Sequence, residues 1–135
     1  MAEVSALLLL DTHIVMRWIS DSRRLSRAQL RAIESSSRRR EPLAISAITL
    51  LEIAMHVRDG KIELDGPLDE FLETLTESPF LLLALSPAVA FEAGSLKPLK
   101  DPADRVIAAT ARVHGLRLVT SDQRIIESNL VSTIE

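Results

Sequence analysis

The sequence contains no cysteine and no tyrosine, one tryptophan and only four glycines in 135 residues. Without cysteine there can be no disulfide, thiolate zinc site or cysteine nucleophile, and nothing calls for an oxidising compartment. So few aromatic rings leave little material for the stacking platforms on which single-strand binders lay bases. The low glycine content and 47% apolar residues exclude collagen-like and disordered classes and leave an ordinary globular chain. The apolar run Leu7 to Leu10 is too short to span a bilayer, follows no basic leader and ends on an acid. We therefore expect a cytoplasmic protein with no membrane partner. Its length suits a single domain over residues 1–135 that buries roughly two-thirds of its unfolded surface.

Charge is distributed unevenly. The net charge is −3, yet Arg17, Arg23, Arg24, Arg27, Arg31, Arg38, Arg39 and Arg40 fall together against only Asp21 and Glu34, while the segment from Glu63 to Glu77 is almost wholly acidic. The segment Arg23 to Arg40 can grip phosphates, contact a protein partner or simply solvate a helix face, and the sequence leaves these open.

Hydropathy patterning gives the architecture. Leu7 to Leu10 reads as a short strand buried on both faces, ending at Asp11. Helices are expected from about Thr12 to Ile19 and from a Ser26 cap to Arg38, with Trp18 in the core. Leu43 to Ser46 is a second strand, and the helix that follows to Arg58 is apolar nearly all round, which predicts burial. Its exception is a polar seam of Thr49, Glu52 and His56 at i, i+3 and i+7. Asp65-Gly66-Pro67 opens a helix with Pro in its first turn that ends before Pro79, Phe80 to Leu85 forms a third strand, and a short helix runs from Pro87 to about Gly94. A longer helix begins at Asp101-Pro102-Ala103-Asp104 and stops at Gly115. Leu116 to Thr120 is a fourth strand, and Leu130 to Ile134 a fifth at the edge. Strands alternating with helices predict a three-layer α/β/α sandwich around a mostly parallel sheet of four or five strands. Such sheets collect ligands at the carboxyl ends of their strands.

Four acids fall at that edge: Asp11, Glu52, Asp104 and Asp122. Singly, the aspartates can be read as helix caps or as acids favoured by a helix dipole. Glu52 resists that reading, because a carboxylate on an otherwise apolar helix must be ion-paired, protonated or metal-bound. Arg17 and Arg105 are the candidate ion-pair partners. Converging carboxylates repel one another, and a hard divalent cation relieves them; with no cysteine and no paired histidines, magnesium or manganese is favoured over zinc. This chemistry suits phosphodiester hydrolysis, in which metal lowers the pKa of water and offsets charge on the phosphate. Asp11, Asp104 and Asp122 would hold the metal, and Glu52 would position water or act as base. Thr12, Ser46, Thr120, Ser121 and Arg105 would support them by hydrogen bonds. His13 and His56 are expected to be packing or polar-seam residues, since no second histidine stands at metal spacing.

The segments Leu8-Leu9-Leu10-Asp11-Thr12-His13, Ser46-Ala47-Ile48-Thr49-Leu50-Leu51-Glu52-Ile53-Ala54, Asp101-Pro102-Ala103-Asp104-Arg105-Val106-Ile107-Ala108-Ala109-Thr110-Ala111 and Leu118-Val119-Thr120-Ser121-Asp122 occur in register over nearly the whole chain. Together they resemble VapC-type toxins of the PIN-domain ribonuclease superfamily. The resemblance implies a PIN-like fold and a magnesium- or manganese-dependent endoribonuclease of a type II toxin–antitoxin pair, cutting tRNA, rRNA or mRNA. It further implies a homodimer neutralised by a cognate VapB-type antitoxin whose tail occupies a groove of the toxin. The family's acids carry over onto Asp11, Glu52, Asp104 and Asp122, with Asp101 as an additional acid.

Other classes fit less well. A phosphoacceptor domain wants paired acids after the first strand and a later strand-end lysine, but Asp11 stands alone and the lysines are Lys61, Lys97 and Lys100. An aspartate-nucleophile phosphatase needs a second Asp two positions on, where this chain has His13. A catalytically silent RNA-binding or interaction module has no use for four acids in its groove.

Overall fold

The structure is a computed structural model that describes residues 6–135. Five strands, β1 (Leu8–Leu10), β2 (Leu43–Ser46), β3 (Phe80–Leu83), β4 (Arg117–Val119) and β5 (Thr133–Ile134), form one sheet in the order β3-β2-β1-β4-β5. Every neighbouring pair is parallel. β1 is central, with Leu9 opposite Ala44 on one side and Leu118 on the other. Its side chains alternate between two apolar layers. Leu9 joins Ala44 and Leu118 against α5 (Pro87–Ser95) and α6 (Pro102–His114) through Val89, Ala93, Ile107 and Ala108. Leu8 and Leu10 join Ile45 and Val119 on the other face. That face is covered by Ile14 of α1 (Thr12–Ser20), Ile33 of α2 (Arg27–Arg38) and Ile53 of α3 (Ala47–Arg58), with Leu75 closing α4 (Leu68–Thr74) beneath. A continuous leucine run is what a central parallel strand covered on both faces requires. Gly115 takes the left-handed conformation that ends α6, with φ +66°.

Some boundaries differ from the sequence expectation. Leu7 lies outside β1 and is 55% exposed; β3 stops at Leu83 and leaves Leu85 exposed; β5 shrinks to two residues. A helix the pattern did not suggest, α7 (Gln123–Ser128), fills the β4–β5 connection, capped by Asp122 and ended by Asn129 in the left-handed region. Two turns carry too few apolar positions to show a period. The largest correction concerns α3. Its apolar character does not mean burial all round, because Leu51 and Met55 are 54% and 55% exposed. One side packs on the sheet and its flanking helices, and no element among the described residues covers the other. Trp18 is half-buried against the α1 face of the core. No described helix is long and apolar enough to cross a membrane.

Parallel strands send all their carboxyl ends to one edge, so Asp11, Ser46 and the Thr120–Asp122 turn emerge together. The β1–β4 register continues past the strands: the Asp11 N–H donates to the Val119 carbonyl at 3.0 Å. Gln29 adds a clamp from α2. Its carbonyl accepts the Ser26 N–H at 3.0 Å in a capping box, while its amide donates to the Ser121 hydroxyl at 3.0 Å and the Thr120 carbonyl at 3.3 Å.

Candidate active site

Each acid is placed by a separate element. Asp11 caps α1: one oxygen accepts the Thr12 N–H at 2.8 Å and the other the Thr120 hydroxyl at 2.7 Å. The Thr120 hydroxyl in turn accepts the Asp122 N–H at 3.0 Å, so one side chain ties the ends of β1 and β4 together. Asp122 caps α7, and Asp101 caps α6 by accepting the Ala103 N–H at 2.8 Å. Asp104, in the first turn of α6, is only 9% exposed and among the described residues has Arg124 as its one cationic contact, at 3.4 Å. Glu52 reaches in from α3 and accepts the Thr12 hydroxyl at 2.6 Å. With that proton committed, Thr49 donates to Thr12 across 3.0 Å, so the polar seam of α3 meets the start of α1.

Asp11, Glu52, Asp101, Asp104 and Asp122 all line one cleft of about 410 Å³, and Arg124 lines it with them. Electrostatics there follow first from burial and then from the crowding of the acids. Burial, then the nearby Asp122, Asp101 and Asp11, push Asp104 up to about 7 against the opposing pull of Arg124. Burial also raises Glu52; the Thr12 hydrogen bond offsets part of this, and Asp11 and Asp101 add to it. Burial pushes Asp122 the same way, but hydrogen bonds and charge from Arg124 outweigh it, and the net shift is downward. His13 is lowered chiefly by burial, against the pull of Asp11. A neutral ring is what its contacts require: Nε2 accepts the Ser121 N–H at 2.9 Å, and Nδ1 lies 3.6 Å from Asp11.

Neither ion-pair partner considered for Glu52 is used. Arg17 donates to the Ser121 hydroxyl at 3.3 Å, and Arg105 turns away from the acids to the Leu99 carbonyl. Arg105 therefore braces the loop before α6 instead of supporting the carboxylates. Ser46 likewise uses its hydroxyl to cap α3, accepting the Ile48 N–H at 3.2 Å. Thr12, Thr120 and Ser121 do surround the acids. Arg124 and Gln29 were not singled out in the sequence. The Ser26-x-x-Gln29 capping box was legible there, and Arg124 becomes visible once Asp122 is recognised as a helix cap. His56, one turn beyond Glu52, lines the cleft with Nδ1 buried and unpartnered.

The donor set fits a hard divalent cation: all the acids offer oxygen, and Asp104 is both buried and repelled by its acidic neighbours. Among the described residues no three such groups yet converge as a ready cage. The cation between Asp104 and Asp122 is the guanidinium of Arg124, 3.4 Å from one and 3.0 Å from the other.

The shift at Asp104 makes a prediction about stability. Its folded value lies above the usual carboxylate range, so protonation favours the fold. That advantage is complete below about pH 4 and is lost as pH rises through about 7. Asp104→Asn, uncharged throughout, should stabilise the metal-free protein by roughly 1–3 kcal/mol near pH 8 and by little near pH 4. Urea denaturation at the two pH values checks this; no gain near pH 8 contradicts the repulsion.

Comparison with known proteins agrees with the geometry. The PIN domain pattern matches residues 8–128. Ribonuclease VapC22 of Mycobacterium tuberculosis is 39% identical over 119 residues, spanning 87% of this chain and 88% of its own. Among solved structures, FitAcB from Neisseria gonorrhoeae superposes with a TM-score of 0.66 at 25% identity, covering 95% of this chain and 96% of that one. DNA-bound VapBC from Salmonella typhimurium gives 0.67 at 21% identity over 95% and 96% of the two chains, a likeness of fold. Nucleases of this kind are in general metal-dependent. By the span of the match and the identity to a named ribonuclease, this chain belongs to the PIN-domain family.

Proposed function

We propose that this chain is a single-domain, metal-dependent endoribonuclease, the toxin of a type II toxin–antitoxin pair, acting in the cytoplasm. The observation that carries this reading is that five carboxylates line one cleft with no lysine among its lining residues. Its 39% identity to Ribonuclease VapC22 supports the choice of RNA, and the solved VapBC complexes support an antitoxin partner.

In this reading Asp11, Asp104 and Asp122 hold Mg²⁺ or Mn²⁺, with Asp101 as an outer acid. A bound divalent ion supplies stabilisation of the charge that builds on the phosphate and lowers the pKa of water at the site. The protein's own groups do the rest. The Thr12 and Thr120 hydroxyls fix Glu52 and Asp11 in orientation. Glu52, raised by burial and with one oxygen not committed to Thr12, is suited to take a proton from attacking water.

RNA must approach this acidic cleft over cations. Arg17 and Arg24 line its rim. Arg23 and Arg39 are occupied by Asp21 at 2.9 Å and Glu41 at 2.5 Å. Arg27 and Arg31, one turn apart and exposed on α2, pair with no carboxylate among the described residues and are the better phosphate contacts. A neighbouring groove of about 450 Å³, floored by Met16, Ile19 and Phe71 and rimmed by Glu63, Asp65 and Glu70, shares Met16 and Ser20 with the cleft. It suits a basic amphipathic antitoxin segment. Leu51, Met55 and Phe91, the last 84% exposed, are apolar surface that a second copy would cover in a homodimer.

RNA cleavage should require Mn²⁺ or Mg²⁺ and fall at least about a hundredfold in Asp11→Asn or Asp104→Asn, and about ten- to a hundredfold in Thr120→Val. Gel-based cleavage of total RNA by antitoxin-free protein tests this; full activity in EDTA or in Asp104→Asn removes the nuclease reading and leaves an interaction module. In the same assay, Arg27→Ala with Arg31→Ala should raise KM and reduce the salt slope of RNA binding by roughly 1 to 2. An unchanged slope makes these arginines a solvated face.

A further inference from the structure

Arg124 stands where the proposed metal should be. Its Nη2 lies 3.0 Å from Asp122 Oδ2 and 3.4 Å from Asp104 Oδ2, and its Nε donates to Asp122 Oδ1 at 3.3 Å. The same Asp122 oxygen accepts the Arg124 backbone N–H at 2.9 Å, so residue and acid are locked at the start of α7. No other cation among the described residues bridges two of the acids. Asp11 has only the imidazole of His13 at 3.6 Å, Glu52 has none, and Arg17 is turned to the Ser121 hydroxyl. The Arg124 side chain is nonetheless 72% exposed, held by two carboxylates and by little packing. An exposed pair of this kind is weak, and the group can leave without opening the core.

We propose that Arg124 is a built-in placeholder cation, holding Asp104 and Asp122 in the metal-free protein and competing with the divalent ion for the same carboxylate oxygens. The inference rests on the reading of these acids as metal ligands. Asp104 and Asp122 belong to different helices, α6 and α7, and repel each other when no cation is near. The fork-shaped guanidinium matches two carboxylates at once and keeps the acids poised without a metal. A metal ion entering between them meets a positive charge already in place and must displace it. That is mutually exclusive binding, and removing the competitor must strengthen the metal. It also explains why three acids do not already converge on one point: Asp122 is turned toward its own arginine.

The test is equilibrium binding of Mn²⁺ alone, read from the electron paramagnetic resonance signal of the free ion. It uses full-length wild type, Arg124→Gln and Arg124→Lys near pH 8, where Asp104, pushed up to about 7, is mostly ionised. Arg124→Gln should bind Mn²⁺ about three- to tenfold more tightly than wild type, the range expected for losing exposed ion pairs. Its metal-free melting temperature should fall, because the acids lose their counter-ion. Arg124→Lys keeps a charge but not the fork, and should fall between the two. It also serves if the Gln variant does not fold. Equal or weaker Mn²⁺ binding by a folded Arg124→Gln, beside a wild type that binds, overturns the placeholder alone. If none of the three proteins binds Mn²⁺, the metal reading of the acids fails and takes the placeholder with it.

Discussion

Carboxylates crowded at the carboxyl edge of a parallel sheet repel one another, and much of this molecule is arranged around holding them there. β1 and β4 are neighbours, so Asp11 and the Thr120–Asp122 turn leave the sheet side by side. Helix caps then fix three of the acids: Asp11, Asp101 and Asp122 each accept backbone N–H groups that a helix start leaves free. Capping and metal ligation are often set against each other as explanations of such acids. Here the cap supplies orientation at a fixed backbone position, and only part of each carboxylate's accepting capacity is consumed. Asp104, which caps nothing and accepts from no hydroxyl among the described residues, is pushed up to about 7, chiefly by burial.

Hydroxyls and an amide distribute this constraint through the scaffold. Thr120 joins Asp11 to the backbone of Asp122, Thr12 joins Glu52 to α1, and Gln29 clips the β4 turn to α2. Apart from the Thr120–Asp122 bond, each of these contacts is short in space and long in sequence. Elements far apart in sequence therefore set the orientations of Asp11 and Glu52, which their hydroxyl partners hold without a bound ion.

The legibility of this arrangement from sequence varied with how local its causes are. A four-leucine run ended by Asp11, the polar seam on α3 and the Asp-Pro-x-Asp helix start are each written in consecutive or periodic residues, and they led to the sheet, the layers and the cluster of acids. The resemblance of four segments in register supplied the family. What escaped were features that depend on tertiary partners. Leu51 and Met55 look like core residues because amphipathic period cannot say whether a second face is covered. Arg105 follows Asp104 in sequence and Ser46 ends β2 at the edge where the acids gather, but they direct their polar atoms to Leu99 and to an α3 cap. Arg124 was invisible because α7 has only two turns, too short for a period to show, and without that helix nothing aims its guanidinium at Asp104.

The most direct test of the account is anomalous diffraction at the manganese edge from crystals of the antitoxin-free protein soaked in Mn²⁺. The expected result is a peak within coordinating distance of carboxylate oxygens of Asp11, Asp104 and Asp122, with the Arg124 side chain moved off them. A cleft with no peak at saturating Mn²⁺, and Arg124 still spanning Asp104 and Asp122, would contradict it.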